Sequence, residues 1–343
     1  ITRRAKEVWK SGNVISTKHA EDSYLDQFEK SVAKYTKRKF GIAVGSGTDA
    51  LYFALRAKGI GPGKTVLCPA ISYLATAEAI KRTGATIQFV DVDENGLMGD
   101  IPMMGLPSAV VYVNLFGNLA DYDRLKNYCD KHRIPLIEDA AQSLGSFYKK
   151  IPSGKLGDIS SLSFAPSKPL PCFGNGGMVL TDNESERDFV RGLRYHGSGT
   201  AKLHHGYNSC LSNDHANVLN FLMSKYKKLL SKTKKVRKLY DEKLFKLGIG
   251  SIQTQSDTTS NNHKFVIKAQ DRDNLKAYLE TKNIQSQVHY ALPLSKMKMF
   301  HTDEQMPNAE RFCEDVLSLP IHPFLEDYEV IHVCNCIGEF YGV

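Results

Sequence analysis

Three short segments of the chain contain residues that could do chemistry. In the first, Ser46-Gly47-Thr48-Asp49 lies between a β-branched run and a helical pattern. Free backbone amides and a hydroxyl at the positive end of a helix can bind a phosphate, and a glycine lets the phosphate approach the chain closely. The same residues also form an ordinary helix N-cap. The segment is therefore a candidate anion site with a structural alternative.

The second segment places a carboxylate at the end of an apolar run. Pro135-Leu136-Ile137 precedes Glu138-Asp139, so Asp139 is expected at the carboxyl end of a buried strand. A carboxylate there could keep a pyridine nitrogen protonated and so make the ring an electron sink. The alternative role is that of a capping residue for the next helix.

The third segment contains Lys168, which follows a further predicted strand and precedes the glycines at 174–177. A lysine buried at such a turn has a lowered pKa and becomes a nucleophile for an aldehyde. A solvent-exposed lysine on a proline-rich turn is the alternative. Taken together, the three segments have the order and rough spacing of a pyridoxal phosphate (PLP) site, in which Lys168 would hold the cofactor as a Schiff base.

Short β-branched runs alternate with helical patterns between residues 41 and 181. The candidate strands are Gly41–Val44, Thr65–Cys68, Thr86–Asp91, Ala109–Val113, Pro135–Asp139, Ile159–Phe164 and Met178–Thr181. The intervening and following helices are Asp49–Lys58, Ala75–Thr83, Asp121–His132 and Ser185–Arg194. This alternation predicts an α/β fold around a mainly parallel seven-stranded sheet, with ligands at the carboxyl ends of the strands.

A second, smaller region follows a long helical stretch at residues 216–247. It has a clear strand at His263–Ile267 and a helix at Asp271–Lys282. We expect a large α/β domain over residues 14–235 and a small C-terminal α+β domain over 236–343, with residues 1–13 packing near the small domain.

Composition and charge exclude several classes of protein. The chain has 343 residues and a net charge of +8, and eight of its Lys and Arg residues lie between Lys225 and Lys238. The apolar residues among them recur near helical spacing, which predicts an amphipathic helix with a solvated basic face. Nucleic-acid binding is the alternative, but aromatic interleaving and a recognition motif are missing, so no nucleic-acid partner is predicted. No apolar run approaches the roughly 18 residues that span a bilayer, so no membrane association is predicted.

The seven cysteines are scattered and odd in number, which favours reduced thiols in a cytoplasmic protein over a disulfide framework. Cys334-x-Cys336 has no second Cys or His pair at zinc spacing, so no metal site is predicted.

Across nearly its whole length, the chain resembles the fold-type-I PLP enzymes that aminate nucleotide-linked keto sugars, the family of perosamine and viosamine synthases. The residues that carry the resemblance lie at 46–51, 69–76, 89–93, 138–142, 157–168, 176–177, 196–197, 206–208, 289–290 and 317–323. Cys210 departs from the pattern, since the family usually has an arginine there.

The resemblance implies a role for each matching position. Lys168 would bind PLP, Asp139 would pair with its pyridine nitrogen, and Gln142 would hydrogen-bond its ring hydroxyl. The other implied cofactor contacts are Tyr73 stacking on the ring, Gly47, Thr48, Asp49 and Ser163 around the phosphate, and Asn208 from a second subunit. That last contact implies a homodimer with shared active sites. The implied substrate-binding residues are His289, Tyr290 and His322.

The activity implied by the resemblance is transamination from L-glutamate to a 4-keto-6-deoxyhexose on a UDP or dTDP carrier, giving a 4-amino-4,6-dideoxy sugar. Two alternatives stay open: amination at C3, and a non-catalytic PLP-binding regulatory relative. Family members that dehydrate the sugar carry histidine in place of the lysine, so Lys168 favours transamination.

Overall fold

The structure is a computed structural model that describes residues 2–12, 14, 23–101, 105–198, 203 and 205–343. Its helices are α1 Thr2–Ser11, α2 Tyr24–Tyr35, α3 Gly47–Ala57, α4 Ala75–Arg82, α5 Tyr122–His132, α6 Glu184–Arg194, α7 Asn213–Lys246, α8 Arg272–Thr281, α9 Pro307–Asp315 and α10 Asp327–Tyr341. Its strands are β1 Phe40–Val44, β2 Thr65–Pro69, β3 Thr86–Val90, β4 Ala109–Val113, β5 Leu136–Asp139, β6 Phe147–Tyr148, β7 Ile151–Pro152, β8 Ile159–Ser163, β9 Gly177–Thr181, β10 Thr258–Thr259, β11 Phe265–Lys268 and β12 Val316–Leu319. Two short 3-10 turns lie at Leu115–Gly117 and Leu294–Lys296.

A seven-stranded sheet in the order β1-β9-β8-β5-β4-β2-β3 forms the centre of the first part of the chain. The pairs from β8 to β3 are parallel, whereas β9 runs antiparallel to both of its neighbours. Every residue of β4 is buried, as expected for a strand covered on both faces. The predicted mainly parallel seven-stranded sheet and α/β class are confirmed.

The sheet order brings β5 and β8 side by side, with Asp139 paired in register with Ser161. Parallel neighbours end at the same edge, so the residues that follow them meet there. Helix α3 begins at that edge as well, because it directly follows β1 and contacts both β8 and β9. The topology therefore assembles the three segments identified from the sequence.

The C-terminal part contains the two-stranded antiparallel sheet β11-β12. Strand β11 begins at Phe265 and not at His263, which corrects the predicted strand boundary. The His263 amide donates a hydrogen bond of 2.9 Å to Oδ1 of Asn261, so His263 belongs to the connection before the strand.

Helix α7 connects the two parts. Its Tyr226 packs in a core with Phe164, whereas its Val236 and Tyr240 pack in a separate core with Phe265. The division predicted at residue 235 falls between these two contacts and stays a prediction. The basic side chains of α7 are mostly exposed, as its amphipathic pattern predicts.

Helix α1 lies against the first half of α7. Asn217 donates a hydrogen bond of 3.1 Å from Nδ2 to the carbonyl of Arg4, and Val8 is fully buried. These contacts place α1 beside the part of α7 that belongs to the predicted large domain, whereas the sequence analysis had residues 1–13 beside the small one. Among the described helices, none is both long and apolar enough to cross a membrane.

Candidate active site

A cavity of about 530 Å³ opens where β5, β8 and the start of α3 meet. It brings together nine of the residues singled out in the sequence: Gly47, Thr48, Tyr73, Asp139, Gln142, Ser163, Lys168, His289 and Tyr290. One wall comes from residues 46–176 and the other from residues 263–290. Of these nine residues, the seven proposed for the cofactor lie on the first wall, and the two proposed for the substrate lie on the second. Their individual contacts with a cofactor or substrate remain predictions.

The first turn of α3 forms one end of the cavity. Ser46 caps the helix, accepting a hydrogen bond of 3.0 Å from the Asp49 amide at its Oγ. A Cβ atom on Gly47 would lie 2.6 Å from Cβ of Ser163, and one on Gly177 would lie 2.2 Å from the Ser46 carbonyl oxygen. Both glycines are therefore required for close packing of α3 on β8 and β9. For Gly47, this close packing is a second reason why glycine is required, in addition to the expected approach of a phosphate.

Asp49 turns its side chain away from the cavity. Its Oδ1 accepts a hydrogen bond of 2.9 Å from Arg82, and its Oδ2 accepts one of 2.7 Å from the Ser209 hydroxyl. The side chain thus ties α3 to α4 and to the segment around Ser209. The position of this carboxylate does not support the predicted cofactor contact.

Asp139 is buried at the end of β5 with two hydrogen-bond donors. The Thr76 hydroxyl donates to Oδ2 at 2.8 Å, and the Ala141 amide donates to Oδ1 at 3.1 Å. Burial raises the pKa of Asp139, while these two hydrogen bonds and the charge of Lys168 act in the opposite direction. The carboxylate is held by the Thr76 hydroxyl from one side, so its orientation is set before any ligand enters.

Lys168 lies in the same cavity on the turn that follows β8. Burial lowers its pKa, the charge of Asp139 acts in the opposite direction, and Lys264 adds to the lowering. Its Nζ lies 5.9 Å from the centroid of the Tyr73 ring. By contrast, Lys149 forms an ion pair of 2.7 Å with Asp123, and Lys155 pairs with Asp182. The structure therefore distinguishes Lys168 from Lys149 and Lys155.

Gln142 connects the two walls. Its Oε1 accepts a hydrogen bond of 2.9 Å from the Phe116 amide, and its Nε2 donates a long hydrogen bond of 3.4 Å to the Tyr290 hydroxyl. The first bond fixes the orientation of the amide, so that Nε2 faces the cavity. The second bond joins a residue of the first wall to one of the second.

A helix N-terminus, a buried carboxylate and a buried lysine of lowered pKa are the groups that PLP requires for its phosphate, its ring nitrogen and its aldehyde. All three lie in one cavity here. The residues present therefore fit this cofactor, with Gly47, Thr48 and Ser163 at the phosphate end, Asp139 at the ring nitrogen and Lys168 at the aldehyde.

The lining residues to which the sequence analysis assigned no role include Thr76, His263 and Lys264. Thr76 had a sequence signal, since it stands in the first turn of a helix just after a strand of the parallel sheet. His263 and Lys264 had none, because they were assigned to the beginning of a predicted strand. Burial lowers the pKa of His263 well below its ordinary range, and Lys264 and Lys168 add to this lowering.

Three predicted residues lie outside the lining of the cavity: Asp49, described above, Asn208 and His322. Asn208 is exposed, and its backbone forms an isolated antiparallel β-bridge with Tyr195. His322 lines a second cavity, of about 680 Å³, which adjoins the first. Cys210, which stands where an arginine was expected, has its Sγ 3.6 Å from the Arg194 carbonyl and is likewise absent from the lining of the first cavity.

Comparison with known proteins gives the family. The model of the DegT/DnrJ/EryC1/StrS aminotransferase family matches residues 1–338. The chain is 36% identical to a UDP-N-acetyl-3-dehydro-α-D-glucosamine 3-aminotransferase of Acidithiobacillus ferrooxidans, with 90% of this chain and 86% of the relative covered. It is 30% identical to a GDP-perosamine synthase of Escherichia coli O157:H7, with 94% and 92% covered.

A solved structure is similar to this chain in both fold and sequence. DesV of Streptomyces venezuelae, in complex with a ketimine intermediate, superimposes with a TM-score of 0.91 at 32% identity, covering 99% of this chain and 93% of that one. The matches run over essentially the full length of the chain and include both walls of the cavity. The chain therefore belongs to the DegT/DnrJ/EryC1/StrS aminotransferase family.

Proposed function

We propose that this chain transfers an amino group from L-glutamate to a nucleotide-linked keto sugar, with PLP attached to Lys168. The observation that carries the proposal is the meeting of Lys168 and Asp139 in one cavity at the start of α3. Membership in a family of sugar aminotransferases, for which PLP is the typical cofactor, confirms the predicted enzyme class and cofactor.

When bound, PLP supplies an electron sink that lets a proton leave the carbon bearing the amino group. The chain's own residues supply the rest. Asp139 is positioned to hold the ring nitrogen, since its orientation is set by Thr76 and Ala141. The amides at the start of α3 are positioned to hold the phosphate.

Lys168 is the group that moves protons. Its lowered pKa increases the fraction of neutral amine, which is the form that accepts a proton, and the ammonium that results can return it. With the keto sugar bound, the same group would take up a proton and, as the ammonium, deliver it to the carbon that was the sugar ketone. The Tyr73 ring lies beside this amine, with its centroid 5.9 Å from Lys168 Nζ.

The position of the sugar carbonyl has two candidates. The resemblance to perosamine and viosamine synthases favours a 4-keto-6-deoxy sugar, which would give a 4-amino-4,6-dideoxy product on a UDP or dTDP carrier. The relative at 36% identity is named as a 3-aminotransferase, which favours a 3-keto sugar. Both substrates place a ketone on a sugar ring carried by a nucleotide, so both fit the same chemistry at Lys168.

The deciding experiment uses the PLP-loaded protein with L-glutamate and a panel of UDP-, dTDP- and GDP-linked 3-keto and 4-keto sugars. NMR of the product identifies the aminated carbon. Amination at C4 of a 6-deoxy sugar supports the first candidate, and amination at C3 supports the second. A protein that converts none of these sugars, although its absorbance responds to glutamate, contradicts the proposed substrate class.

A further inference from the structure

Lys264 lies where the two cavities meet. It stands just before β11, and its side chain lines both the cavity that contains Asp139 and the adjoining cavity of about 680 Å³. The residues shared by the two cavities are Ser167, Lys168, His263 and Lys264. Lys264 is therefore a second ammonium group on the same passage as Lys168, contributed by the opposite wall.

Within the described part of the chain, Lys264 forms no ion pair. Its pKa is lowered by burial alone, without an opposing carboxylate. A partly buried ammonium without a partner is unfavourable, because it loses hydration and gains no compensating contact. A lysine in such a place is a candidate for a functional role.

The charges around Lys264 are unbalanced. Among the described lining residues of the first cavity, Asp139 is the one carboxylate, set against Lys168 and Lys264. The nearby His289 has its pKa lowered to about 4 by burial and by the two lysines, so it is neutral at physiological pH. The oxygens of Asp139 accept hydrogen bonds from Thr76 and Ala141, and Asp139 forms no ion pair with Lys264. Lys264 is therefore a cation that can receive an incoming anion.

We propose that Lys264 binds an oxyanion of the substrate, and that this group is the α-carboxylate of the amino donor. The assignment rests on the proposed function. The α-carboxylate is attached directly to the carbon whose proton Lys168 moves, so a cation on the same passage as Lys168 suits it. The diphosphate of a nucleotide sugar offers the same chemistry, but it is separated from the reacting carbon by the sugar ring.

The test compares Lys264→Met, which removes the charge, with Lys264→Arg, which keeps it. Lys268→Met is the matched control, since Lys268 ends the strand that Lys264 precedes, is exposed and lines neither cavity. The half-reaction is followed by absorbance with L-glutamate, and separately with L-isoglutamine, whose α-carboxylate is a neutral amide.

We expect Lys264→Met to lower kcat/KM for glutamate by roughly 10- to 100-fold, the usual effect of losing a charged hydrogen bond. With isoglutamine, Lys264→Met should react as fast as the wild type does with this substrate. Lys264→Arg should recover most of the activity with glutamate. Lys268→Met should match the wild type with both substrates. Equal losses with glutamate and isoglutamine would overturn the proposal. A loss confined to the nucleotide-sugar half-reaction would assign the oxyanion to the diphosphate and overturn the assignment to the donor.

Two further readouts do not depend on turnover. Calorimetric titration with 2-oxoglutarate should show affinity that falls in Lys264→Met and not in Lys268→Met. NMR titration should show the pKa of His289 rising in Lys264→Met, and an unchanged value would contradict the placement of Lys264. A wild-type protein that binds 2-oxoglutarate through Lys264 but aminates no sugar would contradict the proposed function and leave the anion site standing.

Discussion

The Thr76 hydroxyl donates a hydrogen bond of 2.8 Å to Oδ2 of Asp139, and it is itself 2.8 Å from the Ser72 hydroxyl. Since Thr76 uses its proton on Asp139, Ser72 donates to Thr76. A short chain of hydroxyls therefore reaches the carboxylate from the segment between β2 and α4. This arrangement makes Thr76 a positioning residue for Asp139.

Thr76→Val keeps the shape of the side chain and removes the donor. We expect a loss of about 1 kcal/mol in the free energy of unfolding and a fall of roughly 3- to 10-fold in kcat. The absorbance of bound PLP should also titrate at a different pH, because the charge of Asp139 is less well stabilised. Thr281→Val, at the exposed end of α8, is the control. An unchanged titration of the PLP absorbance in Thr76→Val would contradict the positioning role of Thr76.

Lys168→Ala is expected to lower turnover by at least about 100-fold, because it removes the group that binds the aldehyde and moves the proton. The visible Schiff-base absorbance should disappear, while PLP should still bind non-covalently to the remaining contacts. Lys149→Ala serves as the control, since Lys149 pairs with Asp123 at the surface. Substantial turnover by Lys168→Ala would assign the role to a different lysine.

Gly47→Ala tests the packing of α3 against β8. The added Cβ would lie 2.6 Å from Cβ of Ser163, so one of the two elements must shift. We expect a loss of about 1–3 kcal/mol in the free energy of unfolding, together with weaker PLP binding. Gly250→Ala is a matched control, because a Cβ there meets nothing within 4 Å. Thermal unfolding and PLP titration measure both effects, and equal behaviour of the two variants would contradict the close packing.

The stability of the protein should depend on His289 in mildly acidic solution. Its pKa is about 4 in the folded protein against an ordinary value of 6.5, so the unfolded chain binds more protons between these two values. Stability therefore falls as the pH drops from 6.5 to 4. Since His289 is only partly buried, we expect this contribution to be on the order of 1–2 kcal/mol. Denaturant unfolding of His289→Gln at pH 7 and pH 4.5 should show a smaller decrease than the wild type, and an identical decrease would contradict the lowered pKa.

The predicted homodimer can be tested by mixing two inactive variants. If Asn208 completes the site of a second subunit, Lys168→Ala and Asn208→Ala should each lack activity. After unfolding and refolding together, half of the dimers are mixed, and each mixed dimer has one intact site. The mixture should therefore recover about a quarter of the wild-type activity. If the mixture stays inactive although each variant refolds, the prediction of a shared active site is wrong.

The sequence was sufficient to predict those parts of the site that follow from chain order. Asp139 ends β5 and Lys168 lies on the turn that follows β8, and parallel strands place such residues at one edge. The sequence could not show that β5 and β8 are neighbours, since strand order depends on packing between distant segments. The ion pair of Asp49 with Arg82 was hidden for the same reason, because nothing in the local pattern shows which way a first-turn carboxylate points.

Lys264 illustrates a different limit. The run from His263 to Ile267 predicts a strand, and that prediction gives no indication that Lys264 lines a cavity. The Asn261 side chain holds the His263 amide, so the strand begins two residues later and Lys264 lies in the connection. The position of Lys264 in the cavity therefore depends on where the strand begins, which the local sequence did not show.

The two walls of the cavity have an engineering consequence. The groups that act on the amino group come from residues 46–176, whereas Lys264, His289 and Tyr290 come from a later, contiguous stretch of the chain. If the second wall binds the substrates as proposed, exchanging residues 261–291 between relatives would change which molecules are accepted and leave Asp139 and Lys168 in place. Libraries confined to that stretch offer a direct route to new amino sugars from one catalytic scaffold.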